Sequence, residues 1–554
     1  MRLLNELPPK KSGIVALDIE MFGQSREKLH RPHGTFACIS VMYEGDDVCY
    51  QLYDPAQIPV VFERLDDADW TLVNALYDLR QLRTWDSNDY LSRERTIWDC
   101  MLVEQNLFGG YYRDFSMADM VRRYFDVTLN KKTREDFNTA TIMTEEMKQY
   151  AADDVLWTLK IRSEQEALGR DMNNYFKVDA PMIWVLLDIL PVRVDVEKWT
   201  KMIEEFSQIA REEEKRVGIN VKSVPQVKKA LADIGINVSS TAQSVLESIP
   251  DTTGLIGGIL KARKYRDICS KYGLNWLENS VEDGGLVYAN FNVTGASTGR
   301  QSCSNPNLQN IPRKDFPEFR EMFVPQYDLM IAPDVSQQEP RILGYLSQDT
   351  NLLKALSSDE SIHVYVARLI YDDPTIVKDG KDPRYAVGKA INLGIGYGLT
   401  AVGLSGQTGL SEEEAQKIID VYFKRFPGVA YYMTKYRNMA YRDGYVTTVA
   451  GRRYYVNPYD FKAENNAINS PIQGGAADFT KLWAINVRRM SKERGVPFSL
   501  CMLIHDELVF DVQNKYKDET IEIIRDAMSK AAELYPGISF LSDMNMGSSW
   551  ACHE

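Results

Sequence analysis

Two groups of acidic residues, one toward each end of the chain, have the types and spacing needed to hold pairs of divalent cations. Asp18 and Glu20 lie in ALDIE (16–20), Asp334 in DVSQQEPR (334–341), and His505, Asp506 and Glu507 in LIHDELVF (503–510). Carboxylates packed that closely repel one another unless a cation lies between them. Two Mg²⁺ ions that bracket a phosphoryl centre activate the attacking oxygen and neutralise the leaving one. The sequence therefore predicts two phosphoryl-transfer sites on one chain.

The elements that must position these residues can be read from periodicity. GIVALD (13–18) is an apolar, β-branched run, and in a strand Asp18 and Glu20, two apart, project from one face. FACISVMY (36–43) and DVCYQLY (47–53) continue the strand pattern, and helical periodicity dominates after about residue 60. Asn74 and Asp78 in VNALYDL (73–79) are four apart, as are Tyr150 and Asp154 in YAADDV (150–155), so each pair is expected on one helical face. Asp99 in TIWDCML (96–102) fits either an acidic site position or a helix cap. From 166 to 290 the pattern is helical and charged, with VEKWTKMIEEFSQIAREEEKRV (196–217) reading as a helical arm. After 290, LMIAP (329–333), CMLI (501–504) and LVFDV (508–512) alternate with long helices, which predicts an α+β core with a helical insertion.

Asp334 and Asp506 are thereby expected on adjacent strands. Asp506 and Glu507 would face opposite ways in a strand, so Asp506 is the expected ligand of the two. On chemistry alone, such a pair suits a nuclease or a phosphatase equally. In KAINLGIGYG (389–398), however, Lys389, Leu393 and Tyr397 fall at i, i+4 and i+8 of a helix. That stripe offers a cation, an apolar surface and an aromatic hydroxyl, a surface for a triphosphate, a base and a sugar.

Composition bounds these readings. A chain of 554 residues, 44% hydrophobic and 26% charged, suits roughly three to four globular domains. The seven cysteines are scattered without a CxxC pair, which argues against a disulfide framework or zinc site and fits a reducing compartment. WVLLDILPV (184–192) is short and broken by Asp188, so no membrane role is expected. The net charge of −13 describes the whole surface, whereas phosphate binding depends on local patches. KARKYR (261–266), Arg300, Arg313, GRRYY (451–455) and VRRMSKER (487–494) are the candidate patches.

The ordered set Asp18-x-Glu20, Asn74-x₃-Asp78, Tyr150-x₃-Asp154 resembles the DEDD 3′-to-5′ exonucleases with Tyr in the last motif. The resemblance implies that Asp18, Glu20 and Asp154 hold one metal, that Asp18 and Asp78 hold the other, and that Tyr150 orients the attacking water. The C-terminal residues resemble family A DNA polymerases, of the bacterial polymerase I and phage replicative kind. DVSQQEPR is similar to motif A, KAINLGIGYG to motif B and LIHDELVF to motif C; TGRQSCSNPNLQNIP (298–312), SIHVYVA (361–367), YFKRFPGV (422–429), GRRYYV (451–456), PIQGGAAD (471–478) and SWACH (549–553) add to the match. The implied architecture is an α/β ribonuclease H-like exonuclease domain (1–165), a linker and helical thumb (166–290), a first part of the palm (291–345), fingers (346–445) and a second part of the palm (446–554), the last four forming an α+β right hand.

Carried over by position, the resemblance implies that Asp334, Asp506 and the Val335 carbonyl hold the polymerase metals, with Glu507 beside them. His363, Arg384, Lys389, Leu393, Tyr397 and Glu339 would contact the nucleotide, the last two as a steric gate against a ribose 2′-hydroxyl. Arg300, Asn307, Gln309, Gln473 and His505 would bind primer-template DNA, and His553 falls in the last motif. The implied cofactors are two Mg²⁺ per site, with Mn²⁺ able to substitute, and the implied partners are primer-template DNA and dNTPs. Tyr385 stands where the family usually has Arg, with Arg384 one position early; Leu393 replaces an aromatic and Asn465 another Arg. The exonuclease motif begins too early for a preceding 5′ nuclease domain, and no thioredoxin-binding insertion is seen between 195 and 290. The expected setting is a phage enzyme in the cytoplasm of a bacterial host.

Overall fold

The computed structural model describes residues 1–23, 32–130, 132–358 and 360–552; His553 lies outside them. Contacts divide the chain into two units, one of residues 1–190, 289–309 and 332–545, the other of 191–288, 310–331 and 546–554.

The first unit contains a six-stranded sheet, β1 (Arg2–Leu4), β2 (Gly13–Phe22), β3 (Thr35–Tyr43), β4 (Val48–Leu52), β5 (Ala68–Leu72) and β6 (Ile97–Asp99), in the order β1-β4-β3-β2-β5-β6. β3 runs antiparallel to β2, whereas β5 pairs with β2 in parallel and β6 with β5 in parallel. Periodicity alone missed β5 and β6. ADWTL and IWD are too short to show a two-residue repeat, and only their parallel neighbours make them strands. β2 is almost wholly buried, as expected for a central strand covered on both faces. The helix Glu145–Ala167 packs on β2 and β3 through Ala152, Val155 and Leu159. Thr144 caps its N-terminus by accepting from the Met147 amide, so the register that carries Tyr150 and Asp154 is set at its first turn.

Most of a four-stranded sheet lies in the same unit: Leu500–Ile504 pairs with Glu507–Val512, next to Leu329–Val335 and then Ser542–Gly547. The helices Ala463–Arg494 and Lys517–Ala532 pack against each other, with the Trp483 indole donating to the Ile524 carbonyl at 2.9 Å. Residues 350–443 form the helical insertion, with Ile362–Tyr371 packed on Pro383–Gly394.

In the second unit the predicted helix is observed as Val196–Val217, capped by Asp195 and ended at Gly218, and it packs along Leu255–Tyr272. Its Trp199 stacks on Trp276 with ring centroids 4.4 Å apart. This unit also takes in 310–331, which the sequence division had grouped with 291–345. Among the described residues no helix is long and apolar enough to cross a membrane.

Candidate active sites

In the N-terminal region, β2 and the helix Glu145–Ala167 bring Asp18, Glu20 and Asp154 together, with carboxylate oxygens all within 4.8 Å of one another. Three converging carboxylates are a hard-oxygen donor set of the kind that suits Mg²⁺ or Mn²⁺. Asp78 joins them from the helix Ala75–Leu82 and is 98% buried. Burial, then the charge of Asp18, pushes its carboxyl well above the usual carboxylate range, and the Ile19 amide only partly offsets this. A cation beside such a group would favour its ionised form. Tyr150 lies half-buried one helical turn before Asp154, its ring 6.1 Å from that of Phe137.

One expectation changes here and one open alternative is decided. Asn74 does not share the helical face of Asp78: it is the cap residue before that helix, in the left-handed region at φ 63°. Asp99 is a structural cap. It accepts from the amides of Met101 and Leu102 in its own helix, and from Asn74 at 3.1 Å and Ala75 at 2.8 Å in the other. One buried carboxylate thus organises the N-termini of two helices, one of which carries Asp78.

At the second site Asp334 is the penultimate residue of the strand Leu329–Val335, but Asp506 does not lie on a strand as expected. His505 and Asp506 form the two-residue turn of the hairpin, and His505, at φ 58°, supplies the positive φ that such a turn requires. The Val335 amide donates to the Asp506 carbonyl at 3.3 Å, which fixes the two acidic positions side by side. Burial, then Asp334, pushes the Asp506 carboxyl up to about 7. Glu507 begins the next strand and is buried. Gln309 reaches the same hairpin, its side-chain Nε2 donating to the Leu503 carbonyl at 3.2 Å, while Asn307 Oδ1 accepts from the Gln309 backbone amide at 3.0 Å.

The expected helical stripe is broken. The helix Pro383–Gly394 carries Lys389 and Leu393, but Tyr397 lies in a following 3₁₀ turn, Ile395–Tyr397. Leu393 and Tyr397 are exposed, at 53% and 42%. The tighter turn aims Tyr397 at Glu339: its hydroxyl donates to Glu339 Oε2 at 2.5 Å, and Arg300 pairs with the other carboxylate oxygen. Burial, then the bond to Glu339, raises the Tyr397 hydroxyl, with Gln473 opposing. The helix that bears Glu339 is tied to Ala463–Arg494 through Gln338, which donates to the Ala476 carbonyl and the Thr480 hydroxyl at 3.2 and 3.0 Å. His363 lies against the other helix, its Nδ1 3.1 Å from the Asn392 amide nitrogen. Burial, then Lys389 and Lys378, lowers its pKa, so a cationic surround awaits an anion.

Arg384, expected to neutralise phosphate, is itself neutralised: it bonds Asp382 at 2.7 Å and Asp373 at 2.6 Å. Tyr385, at the usual Arg position, is buried against Val364, Ala367 and Ile376. Most of the basic runs singled out as phosphate patches are also spent internally. Lys261 pairs with Glu213, Lys264 with Asp315 and Arg266 with Glu214; Arg488 pairs with Asp188 and Glu94. The sequence showed the cations but not the acids that fold onto them.

A family model described as DNA polymerase family A matches residues 194–552. The chain belongs to DNA polymerase family A. A second model, 3′-5′ exonuclease, matches residues 8–167, so an exonuclease domain precedes the family A polymerase domain. DNA polymerase I of Bacillus subtilis is 31% identical over 426 residues, covering 71% of this chain and 48% of that protein. DNA polymerase I of Mycobacterium tuberculosis is 31% identical over 479 residues, covering 79% of this chain and 52% of the relative. The family A chain thus spans about half the length of the curated relatives it matches. A solved structure described as the POL domain of Pol1 from M. smegmatis in complex with DNA primer-template and dNTP superposes with a TM-score of 0.82 at 25% identity, covering 98% of this chain and 96% of that one.

Proposed function

We propose that this protein is a template-directed DNA polymerase that adds dNTPs to a primer 3′ end and edits its product with a 3′-to-5′ exonuclease. The observation that carries this reading is the bonding of Arg300 and Tyr397 to Glu339, whose charge, with that of Asp334, is felt by Asp506. A phosphatase or nuclease has no need of a carboxylate and a phenol locked together beside its acidic pair.

In this reading Asp334, Asp506 and the Val335 carbonyl would hold Mg²⁺ at the polymerase site, with Glu507 supporting the hairpin. Asp18, Glu20, Asp78 and Asp154 would hold it at the exonuclease site. Bound there, the ions would lower the pKa of the attacking oxygen and neutralise the leaving one. Lys389 and His363 bind the triphosphate as a fixed cation and a hydrogen-bonding imidazole, and Leu393 lies against base and sugar. Glu339 and Tyr397 crowd a 2′-hydroxyl. Arg300 and Gln473 contact the minor-groove edge of the primer terminus, where every base pair presents similar acceptors, so pair geometry rather than sequence is sensed. Asn307, Gln309 and His505 complete the primer-template contacts. At the exonuclease site Tyr150 orients the attacking water. Most of the catalysis by the chain's own residues is positioning and charge neutralisation.

The domain division we propose is exonuclease (1–165), linker and thumb (166–290), palm (291–345 and 446–554) and fingers (346–445). The setting we propose is phage DNA replication in the cytoplasm of a bacterial host; the bacterial relatives support the host. Extension of a labelled primer on a template, with and without dNTPs, tests the function. Lengthening with dNTPs and shortening without them is expected, and a primer that only shortens would leave the protein a nuclease.

A further inference from the structure

We infer that Arg452 is a positioning residue for synthesis, holding the Thr298–Arg300 turn in the geometry from which Arg300 reaches Glu339 and, on the proposed function, the primer terminus. Arg452 is almost fully buried in a charge-balanced cluster with Asp179, Asp478 and Lys481, all of them buried. Its guanidinium spans two carboxylates, bonding Asp179 at 2.7 and 3.0 Å and Asp478 at 2.9 Å. Asp179 also accepts from Lys481 at 2.7 Å and from Asn106 at 3.1 Å. Asp478 accepts from the Thr448 hydroxyl at 2.7 Å, and that hydroxyl in turn accepts from the Arg452 amide at 3.1 Å. Every hydrogen-bonding nitrogen of the fork therefore has a partner, and the guanidinium plane is fixed.

The turn rests on that plane. Gly299 has φ +90°, and a Cβ there would collide with the Arg452 guanidinium, so the backbone lies directly on the side chain. The other side of the turn lies on the helix Ala463–Arg494: a Cβ on Gly474 would stand 2.9 Å from the Thr298 carbonyl and 2.7 Å from Thr448 Cγ2. The Thr298 hydroxyl is buried and has no partner among the described residues, so that side chain does not anchor the turn. Arg300 is fixed at its base, its carbonyl accepting from the Gly295 amide at 2.8 Å, and its guanidinium then reaches Glu339. Asp179 ends the π-helical turn that follows the exonuclease domain, so the cluster ties that segment to the residues that present Arg300.

A buried ion cluster is a poor way to gain stability, because desolvating the charges consumes most of their attraction. What a bidentate, fully bonded guanidinium provides is a surface of fixed orientation. Displacement of a substrate-positioning group by about 1 Å is enough to cost on the order of 10²-fold in rate.

The test is a double-mutant cycle in the full-length protein, read as single-nucleotide insertion kcat and KM on matched and mismatched primer termini. Degradation of single-stranded DNA and thermal melting serve as controls. Arg452→Lys keeps the charge but loses the fork, and is expected to lower kcat about 10- to 100-fold, narrow the matched-to-mismatched ratio, and leave dNTP KM and single-strand degradation near parent values. In an Arg300→Ala background the same change is expected to have little further effect, because the residue it positions is gone. Multiplicative losses would overturn the inference, as would a folded Arg452→Lys that extends primers at the parent rate, or equal loss of synthesis and degradation. Should Arg452→Lys not fold, Gly299→Ala, which pushes the turn off the guanidinium and leaves all four charges in place, must show the same non-additivity with Arg300→Ala. A parent protein that extends no primer would instead sink the proposed function, before the cycle is begun.

Discussion

The two acidic sites are assembled in opposite ways. At the exonuclease site every carboxylate stands on a regular element of one α/β layer, and three of them already converge within 4.8 Å. At the C-terminal site one acid lies one residue before the end of a strand and the other occupies a hairpin turn. The residues proposed to recognise substrate come from several further segments: the 298–300 turn, the stretch 307–309, the helices at 339 and 363, the helix and 3₁₀ turn at 389–397, and the long helix at 473. On the proposed function, the first arrangement is a compact set of ligands for a cut that any strand end can present. The second distributes the residues proposed for recognition among separate elements held together by side-chain bonds such as those of Glu339 to Arg300 and Tyr397.

The sharpest way to break this comparison is to remove one acid from each site. Asp506→Asn takes away a carboxylate with little change of shape and is expected to lower primer extension by on the order of 10³-fold while sparing degradation. Synthesis near the parent rate would show that the turn carboxylate is not a ligand. Asp78→Ala should do the reverse, abolishing degradation at a comparable scale and leaving extension within about twofold. Parallel loss of both activities in either variant would mean that the two sites are not separate.

A smaller effect sharpens the account of the distributed site. Glu339→Ala frees both Arg300 and Tyr397, and is expected to raise ribonucleotide incorporation relative to deoxynucleotide by on the order of tenfold, at some cost in rate. An unchanged ratio of insertion efficiencies places sugar choice elsewhere.

The smallest expected effect is one of stability, at Asp179. Burial alone would raise the Asp179 carboxyl, but Arg452 and Lys481 hold it below the ordinary carboxylate range. Between its folded and unfolded pKa values the folded chain binds fewer protons than the unfolded one, so this contribution is complete above about pH 4 and is lost as pH falls. Asp179→Asn should therefore melt below the parent at pH 7, and the gap should narrow below about pH 4. A gap that stays constant through pH 3 would show that Asp179 is not held ionised by its partners.

Much of the acidic cluster was legible because it depends on residue type and short spacing. Asp18 and Glu20 two apart in a strand, and Tyr150 and Asp154 four apart in a helix, must share a face wherever those elements form. The helix Val196–Val217 was legible for the same reason, with Asp195 to start it and Gly218 to stop it. The sequence by itself thus determined the acidic sets, the order of the two domains and the family.

What only the tertiary structure decided is which charges are spent on one another. Arg384, Lys261 and Arg488 read as phosphate contacts until their acids fold onto them, and Asp99 read two ways until four amides converged on it. Arg452 and Asp179 stand 273 positions apart, and Arg300 and Glu339 stand 39 apart. No local period links such pairs. Hydrogen bonds and ion pairs reach about 3 Å, so partners are fixed by the packing of whole elements. That packing placed Asp506 in a turn, ended the Lys389 helix before Tyr397, and set a buried guanidinium beneath the glycine that precedes Arg300.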